Sequence, residues 1–308
     1  MPLDTKRING PEISTPYRIY CKANAPKTFE ERLSEAFGKG ETRKDGRRLQ
    51  ESRKYYAKIG VVSTAKGSAY VELGNTKVIV SVFDPREIPK QSKFNQLGDL
   101  YCDFKYSPFA STVRKAPPTD ARERSMATAL TSALNPSVCR HLFPNLQIDV
   151  FVNVLEDDGS TLAVAITAAG LALGDASIPM FDVVMAATAG ILGNRMIVDP
   201  TAEEETLCMD GYTEGNHGMV VLAKLPTLDQ VPEIWQYGNV DVETLWQTCK
   251  QLNTNCGDLV PIVQQLLVSK VQTHLRELEI ESDEESEHGE DKADTADGTL
   301  PNSSGADK

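Results

Sequence analysis

The sequence predicts an α+β fold made of two similar halves, each a β-rich stretch followed by helices. Segments within 57–106 and 146–231 alternate apolar and polar residues, as half-buried strands do. Helical patterns follow at 120–135 and 240–278. Strands and helices do not alternate over the lengths that a doubly wound sheet needs. We therefore expect helices on one side of each sheet.

The first half begins with strands and ends with a capped helix. A two-residue hairpin signal, Gly74-Asn75, separates two of the strands. Residues 84–99 are polar and predict a loop. Thr119 or Asp120 can cap a helix that runs to about Asn135, before Pro136. The strands predicted in this half are Ala57–Ser63, Ser68–Leu73, Thr76–Val82 and Leu100–Tyr106.

A buried helix lies at the centre of the predicted fold. A strand at Leu146–Leu155 leads into the polar turn Glu156–Ser160, and the nearly uniformly apolar run Thr161–Asp175 follows. Such a run is typical of a helix enclosed between layers. It is too short to span a membrane.

The second half contains strands and a long C-terminal helix. An acidic loop is expected at Asp199–Glu205, and Pro261 either kinks the last helix or begins a second one. The strands predicted here are Val183–Leu192, Met196–Val198, His217–Lys224 and Leu228–Val231, followed by the helical segment 240–278.

Charge divides the chain into a nearly neutral body and an acidic tail. The formal net charge is −12, and residues 277–308 contain 12 of the 44 acidic residues but only 2 of the 32 basic ones. We expect an extended arm at 1–42 with one helical turn near 29–37, a domain at 43–278 and a disordered acidic tail at 279–308. The six cysteines form no CxxC pair, which favours buried free thiols. We see neither an apolar leader nor a long apolar span, so the sequence gives little support for a secreted or membrane protein.

The turn before the buried helix predicts an anion site that lacks a cation. A helix start offers free backbone N–H groups and a positive dipole end, which suit phosphate. An enzyme that uses phosphate would add a basic side chain, but Leu162 stands where one is expected. The neighbouring Asp157 and Asp158 would repel an anion.

Several short motifs occur in a defined order along the chain. They are Asp45-Gly46-Arg47-Arg48, Lys66–Glu72, Gly74–Val78, Arg122-Glu123-Arg124, Asp157–Thr161, the helix ending at Asp175-Ala176, and Val198–Thr201. This series resembles the RNase PH-like family over about residues 43–275. The resemblance implies a fold with two βαβα-type halves (ribosomal protein S-five domain-two-like). It also implies a six-subunit ring with a central RNA channel and OB-fold caps, as in the RNA exosome.

The resemblance implies phosphorolysis of RNA in active relatives, and this chain departs from their pattern. Those relatives have an arginine where Leu162 lies, so Asp158, Gly159, Ser160, Thr161 and Leu162 form a vestigial phosphate turn. Phe109 lies at the position of a second arginine, which binds RNA in the active relatives. The general acid position is matched only loosely, by Glu204, Glu205 or Asp210. We therefore expect no catalytic residue, no cofactor and no metal site, since the glutamates at 203–205 are a weak magnesium signal.

Basic residues near the second helix are the candidates for RNA contact. Arg114, Lys115, Arg122 and Arg124 would bind the RNA backbone by charge, or contact a neighbouring subunit, or simply form a solvated face. The aromatic residues Tyr101, Phe104, Tyr106 and Phe109 are interpreted as core residues rather than base-stacking ones.

Three functions remain open. The first is a silent structural subunit of the exosome ring, with RNase PH-like neighbours, OB-fold cap subunits, a separate catalytic exoribonuclease and single-stranded RNA as its partners. The alternative is an active phosphate-dependent 3′-5′ exoribonuclease. A free acidic chaperone is a third possibility that rests on the tail alone. The resemblance implies residence in the nucleus, nucleolus and cytoplasm. The tail, with Ser282 and Ser286 before acidic residues, would screen RNA, bind a basic partner or only add solubility.

Overall fold

The computed structural model describes residues 27–37, 42–87, 94–210 and 215–293, with the side chains of 277–293 excepted. Within these residues the chain forms nine strands, five α-helices and a short 3₁₀ helix at Arg140–Leu142. The strands are β1 Tyr55–Ile59, β2 Gly67–Leu73, β3 Thr76–Glu87, β4 Asp99–Tyr106, β5 Leu146–Glu156, β6 Met185–Leu192, β7 Arg195–Val198, β8 His217–Leu225 and β9 Gln230–Asn239. The helices are α1 Phe29–Ala36, α2 Ala121–Leu134, α3 Thr161–Asp175, α4 Ala202–Met209 and α5 Val242–Ala293.

The strands form two sheets, which confirms the predicted α+β architecture. The first sheet has the order β1-β2-β3-β5-β4, and only β4 and β5 run parallel. The second is antiparallel with the order β7-β6-β8-β9. Helices α2 and α3 pack on the first sheet, and α5 packs on β6 and β8 of the second.

Two strands are longer than their composition predicts. Strand β3 continues to Glu87 because its polar end still pairs with the start of β5, so the predicted loop at 84–99 is wrong for 84–87. Residues 88–93 of that loop lie outside the described part of the chain. Strand β9 continues to Asn239 instead of ending at Val231. It is an edge strand with mostly exposed side chains, so the alternation that marks a half-buried strand is weak there.

Helix α3 lies between the two halves, as its sequence predicts. Every residue from Thr161 to Leu173 is buried, and the helix contacts β2, β3 and β6. Two glycines allow these close contacts. A Cβ at Gly170 would lie 2.7 Å from the Val184 carbonyl oxygen, and one at Gly67 would lie 2.2 Å from the Ala176 backbone nitrogen. Both distances are sterically forbidden, so the packing of α3 requires glycine at these positions.

The acidic segment after β7 is a helix, so the predicted loop at Asp199–Glu205 is wrong from residue 202 onward. The Thr201 hydroxyl and the Glu204 carboxylate form a reciprocal capping box that begins α4. Helix α1 packs against α4 through Phe29 and Leu33. The predicted helical turn near 29–37 is therefore confirmed. It packs against α4 of the same chain, whereas the sequence predicts that it is part of an extended arm. Residues 1–26 of the expected arm lie outside the described residues.

Helix α5 is one helix that contains Pro261, so Pro261 does not begin a second helix, and the helix extends further into the tail than the sequence predicts. The helix passes through Pro261 without ending. Its backbone stays helical to Ala293, where the sequence predicts disorder from 279. The glutamates and leucine of this stretch are good helix formers, and a helix needs no buried cluster to satisfy its own backbone. Residues 294–308 of the expected tail lie outside the residues that the structure describes. None of the described helices is both long and apolar enough to cross a membrane.

Five cysteines fall within the described residues, and all five are free thiols. Four of them, Cys102, Cys139, Cys208 and Cys256, are buried, which confirms that part of the prediction. Cys249 is only partly buried, and Cys21 is not among the described residues.

Candidate functional site

The turn before α3 has a backbone that few residues can adopt. Gly159 has φ of +86° and Ser160, the residue that precedes the helix, has φ of +58°. A Cβ at Gly159 would lie 2.5 Å from the Pro200 carbonyl oxygen, so only glycine fits. The Ser160 side chain does not cap the helix and instead donates to the Pro200 oxygen at 3.3 Å. The turn is thus held against the segment that leads into α4.

A buried ion pair holds the turn in place. Arg53 Nη2 lies 2.7 Å from Asp199 Oδ1, and both side chains are only 7% exposed. The same guanidinium donates to the carbonyl oxygens of Asp158 and Gly159, at 2.8 and 3.1 Å. Burial raises the pKa of Asp199, but the hydrogen bonds and charge of Arg53 outweigh it and leave that pKa below its usual value. Arg53 is therefore a structural cation with no free donor face for phosphate.

A carboxylate of the chain occupies the start of α3. The backbone N–H of Ser160 donates to Glu205 Oε1 at 2.6 Å. Burial raises the pKa of Glu205 to about 7, an effect that the Ser160 hydrogen bond opposes and the nearby Asp157 reinforces. The N–H groups of Gly159 and Asp158 also have internal acceptors, Asp157 Oδ1 at 3.4 Å and Thr76 Oγ1 at 3.2 Å. The N–H groups of Asp158, Gly159 and Ser160 in the turn are thus already engaged.

Leu162 closes the space in front of the turn. Its side chain is 4% exposed, and the cavity beside it has a volume of about 20 Å³. That volume accommodates about one water molecule. Of the described residues along its wall, Arg122 alone is basic. The cavity beside Leu162 is therefore smaller than a phosphate ion.

The other predicted acids have structural partners away from the turn. Glu204 lies 3.7 Å from the buried Arg43 and caps α4. Asp210 forms an ion pair of 2.7 Å with Arg32 of α1. Only Glu205 reaches the turn, which the sequence alone does not reveal because its partner is 45 residues away. Among the described residues, no group of three or more His, Cys, Asp or Glu side chains is arranged to hold a metal ion.

The structure brings together two of the four basic candidates. Lys115 and Arg122 line a pocket of about 420 Å³ beside the turn. Lys115 Nζ lies 3.0 Å from the centroid of the Tyr106 ring. Arg114 and Arg124 are exposed but do not line this pocket, and Arg124 donates to the Thr119 carbonyl at 3.4 Å. Lys115 and Arg122 thus share one pocket, whose wall also includes the acidic residues Asp120 and Glu123.

The aromatic candidates divide into two classes. Phe104 and Tyr106 are buried in the core, as predicted, with exposed fractions of 0% and 2%. The core interpretation is wrong for Tyr101 and Phe109, which are exposed by 49% and 73%. Tyr101 lies on the outward face of β4. Phe109 lies at the tip of a loop. The carbonyl oxygen of the next residue, Ala110, accepts a hydrogen bond of 2.8 Å from the Asp157 N–H, which holds this loop in place.

Replacement of Glu205 by glutamine should make the protein less sensitive to pH. Since the folded-state pKa of about 7 lies above the ordinary value of 4.5, the stability of the wild type should fall as pH rises through this window. Glutamine keeps an oxygen for the Ser160 N–H without the buried charge. Above neutral pH we expect the free energy of unfolding of the variant to exceed that of the wild type by about 2 kcal/mol. The variant should therefore unfold at a higher denaturant concentration.

Denaturant unfolding at several pH values tests this expectation. Glu203→Gln on the exposed side of the same helix is the matched control and should leave the pH dependence unchanged. Equal pH dependence in Glu205→Gln and the wild type would show that Glu205 does not titrate in a buried site.

Comparisons with known proteins agree with this fold. Residues 51–179 match the 3′ exoribonuclease family, domain 1, and residues 182–213 match domain 2 of the same family. The human exosome complex component MTR3 is 35% identical over 286 residues, which cover 87% of this chain and 96% of the human protein. An exosome complex component RRP41-like from Arabidopsis thaliana is 36% identical, over 71% of this chain and 82% of its own length. A solved structure of the Archaeoglobus fulgidus exosome with RNA bound to the active site superposes with a TM-score of 0.65 at 22% identity, over 76% of this chain and 96% of that chain, which shows the fold alone.

The fold and the ordered motifs define an RNase PH-like protein, and the chain belongs to the RNase PH family. Within that family it is of the MTR3 type, with similar coverage and 34% identity to the mouse MTR3 protein as well. The sequence motifs Ala65–Tyr70, Leu100–Phe104 and Asp199–Glu205 favour the same Mtr-three (mRNA transport regulator) type, and the relatives confirm that assignment.

Proposed function

We propose that this chain is a non-catalytic structural subunit of an RNA exosome ring. In this role it supports 3′-5′ processing and degradation of RNA, in rRNA maturation, mRNA turnover and RNA surveillance. It does so by forming part of the channel wall and by docking OB-fold cap subunits, while a separate exoribonuclease attached to the ring cleaves the RNA. The MTR3 relatives, which are named as exosome components, support the ring role.

The observation that carries the silent role is the occupied start of α3. Phosphorolysis requires inorganic phosphate next to the scissile phosphodiester, and cations must offset the charge that develops on both. Here Glu205 accepts from the Ser160 N–H, and Leu162 fills the space where a cation would lie. A carboxylate in this position repels phosphate and cannot be displaced without breaking the contact between α4 and the turn. The loss of one such stabilising group typically costs a few kcal/mol of transition-state stabilisation, and here several are lost together.

The exposed edge of the second sheet supports assembly with neighbouring chains. Strand β9 is an edge strand, and Ile234 and Tyr237 on it are about half exposed. Trp246 at the start of α5 is 62% exposed. An edge with apolar side chains is prone to aggregation unless a partner covers it. We expect the native mass of the tagged complex to correspond to a ring with several RNase PH-like chains.

A phosphorolysis assay discriminates between the silent subunit and the active exoribonuclease. The tagged chain, alone and with its ring partners, is incubated with single-stranded RNA, phosphate and magnesium, and nucleoside diphosphates are measured. We expect no release that depends on this subunit. Release that disappears with Asp210→Asn would support the active enzyme, provided that circular dichroism shows the Arg32 contact is not needed for folding.

Loss of the basic pair beside the turn should weaken RNA binding by the assembled ring. Lys115→Ala with Arg122→Ala removes two charges from the same pocket, while Tyr106 remains in the core. We expect lower affinity for all RNA sequences alike, and a salt dependence whose logarithmic slope is smaller by about 1 for each contact removed. Filter binding at several salt concentrations measures both. Lys58→Ala on the exposed side of β1 is the control, and an unchanged slope in the double variant would exclude these residues as RNA contacts.

We further propose residence in the nucleus, nucleolus and cytoplasm, where exosome substrates are processed. This proposal rests on the family assignment. Imaging of the tagged chain together with a ring partner tests it, and exclusion from the nucleus would contradict it.

A further inference from the structure

Strand β1 is an edge of the first sheet, and a cavity lies along it. The sheet order begins with β1 and β2, so one side of β1 has no neighbouring strand among the described residues. Helix α5 contacts β1, and the two elements enclose a cavity of about 450 Å³. The helix residues on its wall recur every three or four positions and thus belong to one face of α5, while residues 57–60 form the strand side. The cavity is therefore a groove between a strand edge and a helix, which we call the β1 groove.

Hydrogen bonds at the two ends of β1 show which of its residues pair with β2. The Gly60 N–H donates to the Ser68 carbonyl oxygen at 2.8 Å, and the Gly74 N–H donates to the Lys54 carbonyl oxygen at 3.1 Å. The residues between these two contacts keep the same register. In an antiparallel pair, residues that exchange hydrogen bonds with the partner strand alternate with residues whose N–H and C=O groups point away from it. The even-numbered residues of β1 therefore pair with β2.

The N–H and C=O groups of Ala57 and Ile59 consequently point to the edge of the sheet. Both residues line the β1 groove, and these backbone groups form no hydrogen bond in the described part of the chain. Two donors and two acceptors at strand spacing match the backbone of a further strand, which is the way that strand addition binds an extended peptide. The backbone of β1 thus selects an extended peptide segment as the ligand.

The wall of the β1 groove indicates which side chains that segment needs toward α5. Ala57 is buried in the core that α5 also joins through Leu266, whereas Tyr56 is exposed. A residue opposite Ala57 on an added strand would point the same way as Ala57, toward α5. The short polar side chains of Ser269 and Thr273 line the groove there. These neighbours favour small or β-branched side chains opposite the odd-numbered residues of β1.

Charge indicates the residue between them. Lys58 and Lys270 line the β1 groove, and none of the described residues on its wall is acidic. Lys270 is paired with Asp175, while Lys58 is exposed on the outer face of the sheet. A residue directly opposite Lys58 on an added strand would lie on that same face, where opposite charges attract. The complementary segment therefore has an acidic residue between two small ones.

We propose that the β1 groove binds an extended segment of another protein chain, which adds a strand to β1 and carries an acidic residue between two small ones. Helix α5 leads this chain's own C-terminal residues away from the groove, because it continues to Ala293, about 30 Å beyond His274 at a rise of about 1.5 Å per residue. The groove is separate from the turn before α3, so the proposal does not depend on whether that turn is silent.

Binding of a synthetic peptide to the purified full-length chain tests the proposal. The probe is a fluorescent, end-capped peptide of seven residues that alternate threonine and glutamate, and anisotropy measures its affinity. Two further peptides carry N-methyl groups, one on the threonine amides and the other on the glutamate amides. Alternate amides of an added strand face β1 and the solvent, so one methylated peptide should lose at least about tenfold in affinity and the other should bind like the parent.

The three peptides give a clear result with the wild-type chain, since the change is made in the ligand. Equal affinities of all three peptides, or equal losses in the two methylated ones, would overturn strand addition. The absence of saturable binding of the parent peptide would overturn it as well.

Variants of Ile59 locate the peptide on β1. Ile59→Pro removes the N–H that faces the β1 groove and none of the hydrogen bonds to β2, and an edge strand tolerates proline at such a position. Ile59→Ala is the matched control that keeps the N–H. We expect Ile59→Pro to bind the peptide about fivefold more weakly than Ile59→Ala, the effect of one hydrogen bond. Equal affinities of the two variants would contradict the proposed site.

The charge preference and the identity of the occupant have their own tests. A peptide with glutamine in place of glutamate should bind the wild type about threefold more weakly, and Lys58→Gln should abolish this difference. Lys54→Gln, on the same face but outside the groove, should preserve it. A difference that survives Lys58→Gln would overturn the acidic motif. Deletion of residues 1–26 or 294–308 should not change the peptide affinity, and a rise would show that the chain's own terminus occupies the groove, which would overturn the assignment to another chain.

Discussion

Replacement of Arg53 by methionine should lower the free energy of unfolding by about 3–5 kcal/mol, the loss typical of a buried ion pair that loses one partner. The substitution leaves Asp199 without the guanidinium from which it accepts at 2.7 and 2.9 Å. It also removes the Arg53 donor from the Asp158 carbonyl oxygen, and it leaves the Gly159 oxygen with the Thr76 hydroxyl as its donor. Denaturant unfolding of the purified chain measures the loss.

Three controls separate the ion pair from general damage. Arg48→Met on the exposed side of the same loop should change stability by less than about 0.5 kcal/mol. Asp199→Asn added to Arg53→Met should recover part of the loss, because it removes a buried carboxylate that then has only the weaker contact with Arg47, at 3.3 Å. The wild type should also lose stability in acid, as pH falls from the ordinary value of 3.8 through the lower folded-state pKa of Asp199. A loss of under about 1 kcal/mol in Arg53→Met would show that the pair behaves as a surface salt bridge.

Replacement of Leu162 by arginine should destabilise the protein without making it bind phosphate. The cavity of about 20 Å³ has no room for a guanidinium, so neighbouring side chains must move. Overpacking of a buried site costs about 1–3 kcal/mol, to which the desolvation of a charge is added. The nearby Glu205 is a ready partner for the new cation and would neutralise it. We therefore expect no phosphorolysis from a ring with this variant.

Leu162→Met is the matched control for size and hydrophobicity. It should cost under about 1.5 kcal/mol because the volume is nearly conserved. The informative comparison is Leu162→Arg combined with Glu205→Gln, which supplies a cation and removes the competing carboxylate. Nucleoside diphosphate release by Leu162→Arg alone would mean that the missing arginine is the only defect, and that Glu205 plays no part in the silence of this subunit.

Much of the fold follows from local patterns in the sequence. Helix α3 lies at the predicted residues because an apolar run of its length can only be a buried helix between layers. Strand β2 and the Gly74 turn are also local signals. Helix α4 is missed because its capping box follows a proline in a segment rich in acids, whose charge suggests a solvated loop. Strand β9 is underestimated because its exposed side chains remove the alternation.

Only part of the candidate site can be predicted from the sequence. The missing cation at Leu162 can be identified by position, because the resemblance supplies the residue that active relatives use. The contact between Glu205 and Ser160 depends on how α4 packs on the turn, which no local pattern records.

The most direct measurement is the binding of orthophosphate to the full chain in slightly alkaline solution, where Glu205 is ionised. Calorimetric titration should detect no binding at millimolar phosphate, because Glu205 and Leu162 already occupy the start of α3. A saturable binding isotherm, with the ion located in front of Leu162 in a phosphate-soaked crystal, would contradict the proposal that this subunit is silent.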